Sequence, residues 1–128
     1  MERKIVVTAA LLGVMSIVLG AFGAHALKKV LVVEVLNTFE IGVKYQMYHA
    51  LFLLFVATTP LVTIKVKKVI FYLVTIGIIL FSGSIYLLAT NSLIAFDFKS
   101  FGFLTPIGGF LLILAWVILF LNVLKKKQ

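Results

Sequence analysis

Four runs of predominantly apolar residues, each long enough to cross a bilayer as a helix, alternate with short charged segments, and this leaves few folds open to the chain. In hydrocarbon every backbone N–H and C=O must find its partner within the fold, so such runs form helices packed side by side. Composition agrees: 63% of the 128 residues are hydrophobic and mean hydropathy is +1.24, well outside the range of a soluble domain. The chain reads as one all-α membrane domain, a bundle of four transmembrane helices.

The first run, residues 5–27, carries only Thr8, Ser16 and His25 as non-apolar side chains. Met1 to Lys4 and Ala24-His25-Ala26 also have the form of a signal peptide's charged start and cleavage site. The apolar run outlasts an h-region of about 7 to 15 residues, however, and a retained span is the preferred reading. Ser16, Gly20 and Ala24 recur every four residues and offer a smooth strip to a second helix. In the connector Lys28 to Lys44, Val32, Val35, Leu36, Phe39 and Val43 share one helical face. Glu34, Asn37, Thr38, Glu40 and Lys44 share the other, and only Ile41 breaks the pattern. That pattern predicts a short amphipathic helix in the membrane interface between spans one and two, with Glu40 and Lys44 paired at i, i+4; a solvated loop is the alternative.

The second span is read over 47–64, with Thr58-Thr59-Pro60 near its far end, and Lys65, Lys67 and Lys68 as a basic turn after it. The third, 69–90, is interrupted by Ser82-Gly83-Ser84. A connector follows in which Asp97 and Lys99 sit among Phe96, Phe98, Phe101 and Phe103, a composition suited to lying against the bilayer. The fourth, 105–124, opens with Thr105 as the expected N-cap and Pro106 at the first helical position.

The net charge of +8 lies in short clusters between apolar runs, a placement that fits topology signals and anionic lipid headgroups and not a nucleic-acid surface. With four spans, Arg3, Lys4, Lys65, Lys67, Lys68 and Lys125 to Lys127 lie on one side, against Lys28, Lys29, Lys44 and Lys99 on the other. The positive-inside rule then places both termini in the cytoplasm.

This topology gathers segments that are distant in the chain. Gly20 to Ala26, Tyr45 to His49, Ser82 to Tyr86 and Thr105 to Gly109 all fall in the expected outer half, so His25, Tyr45, Gln46, His49, Ser82, Ser84 and Tyr86 are candidates to line one outward-facing polar pocket. Gly20, Gly23, Gly83, Gly108 and Gly109 are read as close-packing positions. The tyrosines also suit the headgroup belt, and Trp116, deep in its span, suits packing. Each histidine either is fixed to a neighbouring carbonyl, serine or tyrosine, or handles a proton or ligand.

Chemistry beyond that is thinly supported. There is no cysteine, and two histidines with only the mobile carboxylates Glu34, Glu40 and Asp97 make a poor zinc set, so no metal or cofactor is expected. Ser82 or Ser84 beside a histidine lacks an embedded carboxylate to orient the imidazole, and no phosphate-binding loop is present. Substrate-binding charges and repeated broken helices, the marks of a secondary transporter, are not evident.

Taken together, GAFGAHAL at 20–27, YQMYHAL at 45–51, FSGSIYLL at 81–88 and TPIGGFLLILAW at 105–116 resemble the four-span membrane family known as domain of unknown function 423, also grouped as UPF 0382 and similar to the eukaryotic transmembrane protein 256. The family's motif positions fall here on Gly20, Gly23, His25, Tyr45, Gln46, His49, Ser82, Gly83, Ser84, Pro106, Gly108 and Gly109, while Phe39 stands where many members are expected to have tryptophan. The resemblance implies a bacterial plasma-membrane protein and carries no established activity with it. The expected role is therefore a structural or accessory bundle that catalyses nothing and associates with lipid, with a second copy or with another membrane protein. The alternative is a small-ligand, proton or ion-handling protein built on His25 and His49.

Overall fold

The computed structural model describes residues 1–93 and 102–126, and it is all-helical over them. Four helices, α1 (Glu2–His25), α2 (Val33–Thr58), α3 (Ile64–Ala89) and α4 (Leu104–Leu124), run antiparallel to their chain neighbours; short 3-10 turns at Leu27–Lys29 and Asn91–Leu93 follow α1 and α3. Of the connector phenylalanines, Phe96, Phe98 and Phe101 lie outside the described residues, as do Asp97, Lys99 and Lys127.

The helix boundaries follow local chemistry. Pro60 disfavours helical geometry at the residue before it, and Thr59 is extended with ψ of 134°, so α2 stops at Thr58 and the expected second span loses its last turn. Thr63 then caps α3, its hydroxyl accepting the Val66 N–H at 3.3 Å. The expected basic turn is therefore the first turn of α3. At the other boundary Phe103, not Thr105, is the N-cap of α4: the Thr105 hydroxyl bonds Ser84 across the helix interface instead, and Pro106 stays within the first turn, where its missing N–H leaves nothing unpaired.

One boundary changes the layout of the molecule. The amphipathic segment does not end before the second apolar run; both belong to the single 26-residue helix α2, about 39 Å long. Its expected apolar face is used for packing except at Val32, the N-cap, which is 63% exposed: Leu36 and Phe39 are buried with Leu27 and Ala89, and Val35 and Val43 pack against them. Glu34, Asn37, Thr38 and Lys44 are exposed as expected, although the ion pair present among the described residues joins Lys67 and Glu2, not Glu40 and Lys44.

α2 and α3 form the centre of the bundle and bury ten residues each, whereas α1 buries four and α4 three. The main core combines Ile5 and Ala9 of α1, Leu53 and Val56 of α2, Ile70, Val74 and Ile78 of α3, and Leu112 and Ala115 of α4. The outer helices turn large apolar side chains away from it, Ile17 being 67% exposed and Phe120 64%. A surface of that kind belongs in hydrocarbon. By length and apolarity α1, α3 and α4 can each cross a membrane.

Close approach depends on glycine at a few positions only. A Cβ on Gly108 would lie 2.4 Å from the Phe81 nitrogen and 2.7 Å from the Gly77 carbonyl oxygen, so α3 and α4 meet backbone to backbone there. Gly23 faces the Phe39 ring at 3.1 Å, while Gly20 and Gly109 face neighbours at ordinary contact distance. Gly83 has nothing within 4 Å and is no packing residue; the helix contacts at this level are made by Ser82 and Ser84 on either side of it. Gly42 and Gly77, absent from the expected set, hold α2 close to Tyr86 and α3 close to Leu112.

Lys67 ties together three helix ends. Its side chain is 3% exposed, and Nζ donates to Glu2 Oε2 at 2.6 Å and to the Ala57 carbonyl, in the last turn of α2, at 2.9 Å. The ammonium thus neutralises a carboxylate and satisfies a helix C-terminus at once.

Two outcomes follow. Gly108→Ala should destabilise the bundle by about 1 to 3 kcal/mol, because backbone and not a flexible side chain must yield, whereas Gly83→Ala should be neutral or stabilising by up to about 1 kcal/mol; reversible unfolding in mixed micelles measures both. The second concerns pH. The hydrogen bond and charge of Lys67 hold the Glu2 carboxyl below its ordinary value of 4.5. A depressed carboxyl pKa contributes stability that is present above 4.5 and disappears as pH falls through the lower folded value. Glu2→Gln should therefore lower the unfolding midpoint at neutral pH by a small amount, and the difference from wild type should vanish in acid.

Candidate functional site

Because α2 begins at Val33, Tyr45 to His49 lies midway along a long helix and not at the mouth of a span. This displaces the expected pocket. Gly23 packs on Phe39, and His49 lies ten positions further along α2, about 15 Å of helix. His25, exposed at the last residue of α1, is therefore far from His49, and the two imidazoles do not form a joint site.

Of the remaining six expected residues, Gln46, Ser82 and Tyr86 join α2 to its neighbours, His49 bonds α4, Ser84 joins α3 to α4, and Tyr45, 41% exposed, contributes its backbone carbonyl and its ring. Gln46, 2% exposed, donates from Nε2 to the Leu12 carbonyl of α1 at 2.9 Å and accepts at Oε1 from the Tyr86 hydroxyl of α3 at 2.7 Å. One amide side chain thus links three helices. The Ser16 hydroxyl adds a bond to the same Leu12 carbonyl at 2.8 Å. Ser82 Oγ donates to the Gly42 carbonyl at 2.7 Å, possible because Gly42 has no side chain to hold α3 away. Ser84 Oγ reaches both the Phe81 carbonyl and the Thr105 hydroxyl, joining α3 to α4. Neither serine touches a histidine, so no nucleophile and base pair forms.

His49 uses both ring nitrogens. Nδ1 lies 2.7 Å from the Tyr45 carbonyl, and Nε2 lies 3.1 Å from the indole nitrogen of Trp116. A carbonyl only accepts and an indole N–H only donates, which assigns the neutral tautomer with its proton on Nδ1. Trp116 is held in turn by stacking on Phe52, ring centroids 4.0 Å apart, and Tyr45 packs on Phe81 at 5.0 Å. Trp116 packs, as its depth in the span suggests, and also donates; an indole N–H placed deep in a span needs an acceptor, and that requirement is the signal that points to a partner such as His49.

A cleft of about 300 Å³ lies beside this pair, walled by Tyr45, Phe81, Gly109, Leu112 and Ile113 together with His49 and Trp116. It touches two of the seven expected pocket residues, Tyr45 and His49, and lies midway along α2 and α4. Among the described residues no group of three or more His, Asp or Glu side chains is placed to hold a metal ion. Thr75 has the one buried side-chain polar atom without a partner among the described residues.

Comparison with known proteins agrees with the membrane fold. The family described as "Protein of unknown function (DUF423)" matches residues 19–109, which include the Gln46, His49, Ser82, Ser84 and Tyr86 positions. A UPF0382 membrane protein of Haemophilus influenzae is 35% identical over 131 residues, covering 100% of this chain and 99% of its own length. UPF0382 membrane protein SSP2132 of Staphylococcus saprophyticus is 36% identical, covering 96% and 98%. The UPF0382 inner membrane protein YgdD of Escherichia coli is 31% identical, covering 99% and 94%. No solved structure matches.

Single hydrogen bonds between membrane helices contribute up to about 1.7 kcal/mol, and about 0.6 on average. Gln46→Leu should exceed that range, since it breaks two such bonds and strands the Tyr86 hydroxyl, while Gln46→Leu combined with Tyr86→Phe should cost less than the sum of the two changes. Trp116→Phe keeps the stack on Phe52, removes the donor to His49, and should fall within the range. A double-mutant cycle in micelles measures these terms.

Proposed function

Since the chain belongs to the DUF423 family, and the relatives described above are named as membrane proteins with no activity in their names, we propose from its own geometry that it is a non-catalytic helix bundle of the bacterial plasma membrane with a structural or accessory role. One observation carries this reading: Gln46, His49, Ser82, Ser84 and Tyr86 each make a hydrogen bond from one helix to another. A site that binds and releases a ligand keeps donors or acceptors available in a cavity. Here the polar side chains act as fasteners.

The same reading takes α2 as a fourth crossing. Its 26 residues match α3 in length, and it is packed between α1 and α3, so a bilayer that receives those two encloses it as well. The excess of Lys and Arg at the end holding Met1, the α2–α3 turn and Lys125 supports both termini in the cytoplasm, and the inner-membrane name of the E. coli relative supports the compartment. Reporter fusions at the two termini should both be active only as cytoplasmic reporters.

The test of the role compares wild type, His25→Gln and His49→Gln by native mass spectrometry with elemental analysis, after gentle release from the membrane. The expected result is the same lipid profile and no bound metal or metabolite in all three, with lower stability for His49→Gln alone. A metabolite or metal present in wild type and missing from His49→Gln would replace this reading with that of a ligand-handling protein.

A further inference from the structure

A groove of about 450 Å³ lies between α2 and α4 on the lipid-facing flank, toward the end that carries the termini, walled by Phe55, Leu61, Trp116, Leu119, Phe120 and Val123. Every wall residue is apolar. Leu61 also walls a second recess of about 220 Å³, and there the lining changes character to Thr63, Asn122, Lys125 and Lys126. The two recesses therefore adjoin through Leu61, apolar along the helices and basic where the helices end.

This arrangement has the order of parts of a phospholipid. α4 ends at Leu124, so Lys125 and Lys126 fall where a membrane passes from hydrocarbon to headgroups. Lys126 Nζ donates to the Pro60 carbonyl at 2.9 Å, which fixes the cation beside the α2–α3 turn and leaves its other two protons to bond elsewhere. The Thr63 hydroxyl and the Asn122 amide add polar groups on the same rim. Among the described residues no acidic side chain lines either recess, and Glu2 at the same end of the bundle is neutralised by Lys67. One lysine held at the Pro60 carbonyl and a second beside it, with hydroxyl and amide groups on the same rim, suit the oxygens of a phosphodiester. A zwitterionic headgroup would instead bring an ammonium next to two lysines.

We propose that this groove binds one anionic glycerophospholipid, its acyl chain against Phe55, Leu119 and Phe120 and its phosphate at Lys125 and Lys126. The site rests on the reading of the helices as membrane-embedded, and narrows a general affinity for anionic headgroups to one position. Lys125 and Lys126 then act as ligands and not only as topology signals.

The test adds phosphatidylglycerol or phosphatidylcholine, with identical acyl chains, to the delipidated full-length protein and counts retained lipids by native mass spectrometry. Wild type should retain one phosphatidylglycerol, with a preference over phosphatidylcholine of about tenfold or more. Lys125→Gln with Lys126→Gln should abolish the preference, Val123→Trp should lower retention of both lipids by filling the groove, and Lys28→Gln with Lys29→Gln, an equal loss of charge at the opposite end, should change neither. Equal retention of the two lipids by wild type, an unchanged preference in the Lys125 and Lys126 variant, or an equal loss in the Lys28 and Lys29 variant would overturn the proposal, and so would a lipid-free dimer broken by Val123→Trp. None of these results bears on the His49→Gln comparison, so the bundle reading and the lipid site can fail separately.

Discussion

A buried amide side chain has no water to fall back on, and the position of Gln46, 2% exposed, follows from that constraint. Its donor and acceptor must both be satisfied inside the bundle, and one partner lies on α1 and the other on α3. Apolar contact does not choose among alternative helix neighbours in a membrane, because lipid tails are as apolar as leucine. A residue that requires two partners at one level along the helices does choose. It sets the register of α1 against α2 and of α2 against α3, and Ser82 on Gly42 and Ser84 on Thr105 repeat the device at neighbouring levels.

These bonds are short enough only because the backbones come close. Gly42 allows α3 to approach α2 so that Ser82 meets its carbonyl, and Gly108 against Gly77 brings α4 onto α3. Glycine and hydroxyl positions are thus two parts of one interface. At the terminal end the constraint differs, since water is near and charge can be used. Lys67 joins α1, α2 and α3 there by meeting one carboxylate and one helix terminus. The bundle is closed by charge at one end and by neutral hydrogen bonds through its middle.

What could be read from residue order is uneven, for physical reasons. The apolar runs and Pro60 are local features, and the helices they imply are present, as are the buried face of Leu36 and Phe39 and the close packing at Gly108. The start of α2 was less legible, because a charged amphipathic stretch looks like a connector until its apolar face is known to have a bundle to pack against. That one boundary moved His49 to mid-helix and separated it from His25. Trp116, Gly42 and Gly77 gain their meaning from what stands opposite them, and no periodicity within a helix reveals the facing residue.

Residue order by itself therefore determined that this is a helical membrane protein, roughly where its helices lie, and which side chains are too polar for hydrocarbon to be left unpaired. Hydropathy and helix-breaking chemistry act along the chain, so they are visible in it. Only the tertiary structure decided which polar groups satisfy one another: that Gln46 serves Leu12 and Tyr86, that His49 is held neutral between Tyr45 and Trp116, and that Lys67 turns inward to Glu2. Pairing across helices depends on their relative level and rotation, and those are set by close contacts between residues far apart in the chain.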